Sequence, residues 1–195
     1  MLSDANIVLI GFMGSGKSSV AKNLAKRYSQ SQNPPQNLPQ KTPRKDTAQR
    51  FARFVLDSDE MISKNLGMSI SQYFKRRGEE AFRLREAEFI AWVCSSVKNA
   101  IISTGGGMPI FNDVRQMGLV VYLEIGFDEI LSRLDSIQRS KRPLFRDLKK
   151  AREIFLYRKD IYKNTADLVI DASKPLESIT QEILNHHLIT SSNKR

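Results

Sequence analysis

Three glycines, a lysine and a serine in the stretch GFMGSGKSS, residues 11–19, carry the first recognisable chemistry in this chain. Gly11, Gly16, Lys17 and Ser18 satisfy the spacing G-x-x-x-x-G-K-[ST], with Gly14 inside it. Glycines let backbone N–H groups curl round phosphate oxygens without a Cβ in the way, and a helix starting near Lys17 points its positive end at the same anion. Lys17 then reaches the outer phosphates and the Ser18 hydroxyl ligates Mg²⁺, while Gly14, Ser15, Gly16 and Ser19 line the rest of the cradle. An ordinary glycine turn is the competing reading. The apolar run at 6–10 before the loop, and the helical spacing of Val20, Ala21, Leu24 and Ala25 after it, favour a strand, loop and helix that hold a nucleoside triphosphate.

Such a loop serves motors, switches, transporters and kinases alike, so it leaves the acceptor open. Three further groupings bear on it. Asp57 and Asp59 end an apolar run, and spacing of two in an extended segment points both carboxylates to one side, one for Mg²⁺ and one for an acceptor hydroxyl. The alternative is a helix N-cap at Asp59. Glu79 and Arg83 lie four apart on a helical pattern, which is either a surface ion pair or a guanidinium fork awaiting a carboxylate. Gly105, Gly106 and Gly107 follow the apolar AIIST stretch, marking a wide turn, a place where a ligand lies against the backbone, or both.

The elements that must position these groups follow from hydrophobic patterning. Short apolar runs near 6–10, 54–56, 100–103, 119–123 and 168–170 read as strands. Helical patterns cover 17–28, 60–92 with breaks at Gly67 and Gly78, 127–134, 148–162 and 176–188. Strands alternating with helices predict an α/β protein with a five-stranded parallel sheet covered on both faces. Residues 29–50, rich in Gln, Asn and Pro, are expected to be a flexible insertion.

The chain has 195 residues and a formal charge of +10, which fits either nucleic acid or a small anionic ligand. Its positive side chains are scattered rather than gathered into a stripe interleaved with aromatics, so no nucleic-acid partner is expected. No window approaches the roughly 20 apolar residues of a membrane span, and the start MLSDAN lacks a secretory pattern, so a soluble cytoplasmic protein is expected. The single cysteine, Cys94, cannot form an internal disulfide, and its apolar neighbours predict a buried thiol. His186 and His187 are adjacent, a poor spacing for a metal, and read as tail residues.

Taken together, the motifs resemble the shikimate kinase family. The P-loop at 11–18, D-[ST]-D at 57–59, G-E-x-x-F-R-x-x-E at 78–86, the glycine triplet at 105–107, R-P-L at 142–144, and R-x-x-x-Y at Arg158 and Tyr162 occur in the family's order. The resemblance implies a P-loop NTPase fold like that of nucleoside-monophosphate kinases, three layers deep and with a mobile lid at 135–147. It implies one kinase domain over 1–190, a helical acceptor region at 60–97, and a tail at 191–195.

The same resemblance implies transfer of a phosphoryl group from ATP to the 3-hydroxyl of shikimate, on the route to aromatic amino acids. Asp59 would bind the ring hydroxyls and orient or deprotonate the attacking one, with Lys17 and Arg142 as the other catalytic groups. Asp57, with Ser18, would lie at Mg²⁺, and Arg83 and Arg158 would hold the shikimate carboxylate. Gly106 would donate its N–H to substrate within the triplet of Gly105 and Gly107, Arg142 would descend from the lid onto the phosphates, and Ile70 and Phe74 would form the pocket's apolar side or simply face the core. Lys174 is the candidate beside the adenine. The insertion departs from the family and is expected to be catalytically neutral. Phe145 follows R-P-L where leucine is commoner, which should alter packing more than chemistry. Competing readings are a related small-metabolite kinase such as gluconate kinase, and a non-catalytic nucleic-acid-binding P-loop protein. A monomer is expected.

Overall fold

The computed structural model describes residues 5–30, 53–135 and 142–192. Its five strands are β1 (Asn6–Ile10), β2 (Val55–Asp57), β3 (Ile101–Ser103), β4 (Gly118–Glu124) and β5 (Leu168–Asp171), all parallel and ordered β2-β3-β1-β4-β5. Ile7, Val8, Leu9 and Ile10 are all completely buried. Successive strand residues point to opposite faces, so burial of every one means that β1 is covered on both sides. The β1 strand has β3 on one side and β4 on the other, so the loop leaving it opens at the sheet's C-terminal edge where the strand order reverses, the usual ligand crevice of such sheets.

The helices are α1 (Lys17–Gln30), α2 (Ser58–Leu66), α3 (Ile70–Ser96), α4 (Met108–Phe111), α5 (Phe127–Arg133), α6 (Leu148–Thr165) and α7 (Leu176–Ser192). Gly67 ends α2 at φ 63°, and Ser69 with Gln72 opens α3 through a capping box. The expected break at Gly78 is present as a non-helical residue, φ 81° and ψ 175°, inside α3. The short α4, with Pro109 in its first turn, and the 3₁₀ turn Arg115–Met117 have no apolar periodicity long enough to announce them. Residues 31–50 of the expected insertion lie outside the described residues, whereas 29 and 30 complete α1. The lid expected at 135–147 falls partly outside them as well. At its far end Pro143–Arg146 forms a 3₁₀ turn, and Phe145 is buried against Phe12 and Phe127.

Two further expectations are corrected. Cys94 is exposed, because α3 turns its buried side through Phe89 and Val93 and carries residue 94 off that stripe. The histidines are not tail residues, since α7 runs to Ser192 and so past the boundary expected at 190. His187 continues the buried face of Ile179 and Ile183 at spacing four and is 2 % exposed. Its Nδ1 lies 3.3 Å from the Tyr28 hydroxyl and its Nε2 3.4 Å from Arg53 Nη2. Arg53 also stacks on Tyr28 and donates to the Ala5 carbonyl at 2.7 Å, so the chain returning to β2 is fastened to α1, α7 and the start of β1.

Burial, and then the Arg53 cation, lower the His187 pKa from 6.5 to about 4. Between those values the unfolded chain binds the extra proton and the fold does not, so the stability from neutral His187 is present above pH 6.5 and drains away towards pH 4. The thermal unfolding midpoint of the wild type should fall across that window, against the opposite contribution of Asp59 and the buried Glu86, whose pKa values are raised. His187→Gln should show a flatter slope. An equal slope in both proteins would remove His187 from the acid response.

Candidate active site

The loop after β1 turns through positive φ at Gly14, 86°, where a Cβ would also stand 2.8 Å from Ile130 Cγ2. Both the backbone and the space therefore require glycine there. Lys17 folds back over the loop and donates to the Gly11 and Phe12 carbonyls at 2.7 and 3.0 Å. Burial lowers its pKa to about 8, against the opposing pull of Asp59 and Asp57. Beside it, Ser15 Oγ and Arg142 Nη1 are buried with no hydrogen-bond partner among the described residues, and the same Arg142 atom would lie 3.3 Å from a Cβ on Gly14. Unsatisfied buried donors around a glycine loop at a helix N-terminus fit an anion of several oxygens.

Asp57 and Asp59 reach this cleft by different routes from the one their spacing suggests. The β2 strand stops at Asp57, which is itself the N-cap of α2: its Oδ1 accepts from the Asp59 and Glu60 N–H groups at 3.1 and 3.3 Å. The cap therefore belongs to Asp57 and not to Asp59, and the second carboxylate comes from the first turn of the helix. Asp57 Oδ2 accepts from the Ser18 hydroxyl at 3.4 Å, bringing two hard oxygens together beside the loop. Burial, and next the charge of Asp57, raise the Asp59 pKa, while Lys17 and Arg83 oppose the shift. The Asp59 carboxylate lies so close to Gly105 that a Cβ there would be 2.3 Å from Oδ1. The Ser58 hydroxyl accepts from the Gly105 N–H at 2.8 Å, fastening α2 to the glycine triplet.

Across the cleft, Arg83 pairs with both Glu79 and Glu86 and stacks under Phe111, whose ring centre is 4.1 Å from its Cζ. Phe74, tilted against Phe82 at 4.8 Å, and Ile70 make the apolar wall. From α6, Arg158 Nη1 and the Tyr162 hydroxyl both donate to the Gly106 carbonyl, at 3.3 and 2.5 Å. Lys174 stands at the rim, bonded to Glu182 at 3.1 Å.

All the residues assigned from sequence to nucleotide, metal and acceptor line one cleft of about 1370 Å³. Three charged lining residues, Lys75, Glu86 and Arg133, had no assigned role. Glu86, 1 % exposed and holding Arg83 at 2.8 Å, is the last position of the 78–86 motif and three residues after the arginine, a spacing that brings them together on one helix face. Arg133, bonded to Glu129 and to the Ser173 carbonyl, has no motif to mark it.

A model of the shikimate kinase family matches residues 42–187. That match begins beyond the P-loop, which stands on its own geometry. A shikimate kinase of Helicobacter hepaticus is 40 % identical over 179 residues, covering 92 % of this chain and 93 % of the relative. One from Francisella philomiragia is 33 % identical over 180 residues, covering 89 % and 88 %. Among solved structures, a shikimate kinase from Acinetobacter baumannii in complex with shikimate superposes with a TM-score of 0.72 at 28 % identity, covering 97 % of this chain and 94 % of that one.

Proposed function

Because the chain belongs to the shikimate kinase family, we propose that its cleft transfers the γ-phosphoryl group of ATP to the 3-hydroxyl of shikimate, giving 3-phosphoshikimate and ADP. The observation that carries this reading is the place of Asp59, a carboxylate against Gly105 within the fields of Lys17 on the phosphate side and Arg83 on the acceptor side. Phosphoryl transfer asks a protein mainly for positioning and for positive charge near the γ-phosphoryl oxygens. Lys17 exchanges the Gly11 and Phe12 carbonyls for phosphate oxygens, and the unpaired Nη1 of Arg142 finds its partner there. Gly14, Ser15, Gly16, Ser18 and Ser19 cradle the phosphates, and Lys174 flanks the nucleotide base.

Ser18 and Asp57 would hold Mg²⁺, which when bound neutralises phosphate charge. Among the described residues no group of three or more His, Cys, Asp or Glu side chains could hold a metal, which suits an ion completed by phosphates and water. Arg83 and Arg158 anchor the shikimate carboxylate, Gly105, Gly106 and Gly107 carry the ring, and Ile70 and Phe74 cover its apolar side. Asp59 then orients the attacking hydroxyl and accepts its proton, a task that the raised pKa favours. The reading includes a single cytoplasmic, monomeric domain with a lid over 135–147. No helix among the described residues is long and apolar enough to cross a membrane.

Arg83→Ala tests the acceptor half of the reading. The KM for shikimate should rise by about tenfold or more, as expected when a charged hydrogen bond is lost, with the KM for ATP little changed. An unaltered KM for shikimate would leave Arg83 as a helix-surface partner of Glu79.

A further inference from the structure

The edges of the Arg83 guanidinium are already occupied. Nε and Nη2 both donate to Glu79 Oε1, at 3.2 and 2.5 Å, and Nη1 donates to Glu86 Oε2 at 2.8 Å. The remaining edge, between Nη1 and Nη2, backs onto Gly107: a Cβ there would lie 2.6 and 2.8 Å from these nitrogens and 3.0 Å from Cζ. Phe111 covers the guanidinium with its ring centre at 4.1 Å. An incoming carboxylate therefore meets Arg83 in plane only by replacing one of the two glutamates.

The glutamates are not equally replaceable. Glu86 is buried, with a side chain 1 % exposed, and loss of its partner would strand a charge away from water. Glu79 is 55 % exposed and forms the other pair as an ordinary i,i+4 contact. It follows directly after Gly78, whose φ of 81° breaks the helix, so its backbone begins a new helical run instead of being locked inside one. A solvated glutamate that leaves Arg83 goes back into water at little cost.

We propose that Glu79 is a stand-in for the acceptor carboxylate: it holds the Nε/Nη2 edge of Arg83 and is displaced when the acceptor binds. The proposal rests on the acceptor reading above. Its consequence is selectivity, because a ligand must outbid an internal carboxylate for that edge. An acceptor with a planar carboxylate can do so by forming two parallel hydrogen bonds, whereas a hydroxyl or a single-atom anion cannot.

Steady-state kinetics of Glu79→Gln with shikimate test this. The change preserves size and removes the competing charge. The KM for shikimate should fall by roughly two- to fivefold, the range an exposed ion pair supports, with kcat and the KM for ATP within twofold of wild type. The same substitution in an Arg83→Ala background should have no effect on KM. An unchanged or raised KM in Glu79→Gln, with the wild type active on shikimate, would overturn the stand-in role and make Glu79 a brace for Arg83. No turnover of shikimate by the wild type would instead defeat the acceptor reading, and this inference with it.

Discussion

Asp59→Asn should lower kcat for shikimate phosphorylation by about 10²–10⁴-fold, the range removed with a positioned proton acceptor, while the KM for ATP stays close to wild type. The carboxylate lies against Gly105 within the fields of Lys17 and Arg83, and in the proposed reaction it faces the attacking hydroxyl and not the nucleotide. Asparagine fills the same space beside the glycine but accepts no proton. Stability separates this loss from misfolding. Since burial raises the Asp59 pKa, the ionised group burdens the fold at neutral pH, and the variant should unfold at the same or a higher temperature than wild type. Loss of turnover with undiminished stability is the paired signature. An unchanged kcat would remove Asp59 from the chemistry.

Lys17→Met should reduce kcat/KM by about 10²–10³-fold, as removal of one preorganised charge at a transition state typically does. Here the nucleotide side carries the defect, because the Lys17 ammonium is held at the Gly11 and Phe12 carbonyls of the phosphate loop. A pH signature accompanies it. Burial brings the Lys17 pKa to about 8, so ATP binding by the wild type should weaken as pH rises past that point. Titration calorimetry between pH 7 and 9 would show that weakening, and Lys17→Met should bind ATP poorly without it. Equal pH dependence in both proteins would mean that another group controls nucleotide binding.

The strands and their covering were legible in the sequence because buried parallel strands are short, unbroken apolar runs, and the runs found there are the strands of the sheet. The P-loop was legible because its chemistry is local, with five diagnostic positions inside eight residues. Asp57 and Asp59 show the limit of local reasoning. Both line the cleft, but the extended-strand argument that grouped them does not describe them, because the structure puts a helix start between them. His187 and Arg53 were missed for a different reason: their partners lie 134 residues apart in sequence, and no motif announces a buried histidine that binds nothing catalytic. Cys94 was misplaced because apolar neighbours alone do not say which side of a helix faces out. Arg83 read as either a surface partner of Glu79 or a carboxylate-binding fork, and in the structure it pairs with Glu79 and also lines the cleft.

The most direct measurement is an ADP-release assay with Mg·ATP, comparing shikimate, gluconate and no acceptor. ADP formation that requires shikimate and is not supported by gluconate is the predicted result, tying the phosphate loop to the carboxylate-binding wall in one reaction. ADP formation indifferent to the acceptor, or none with shikimate, would contradict the roles given to Asp59, Arg83 and Arg158.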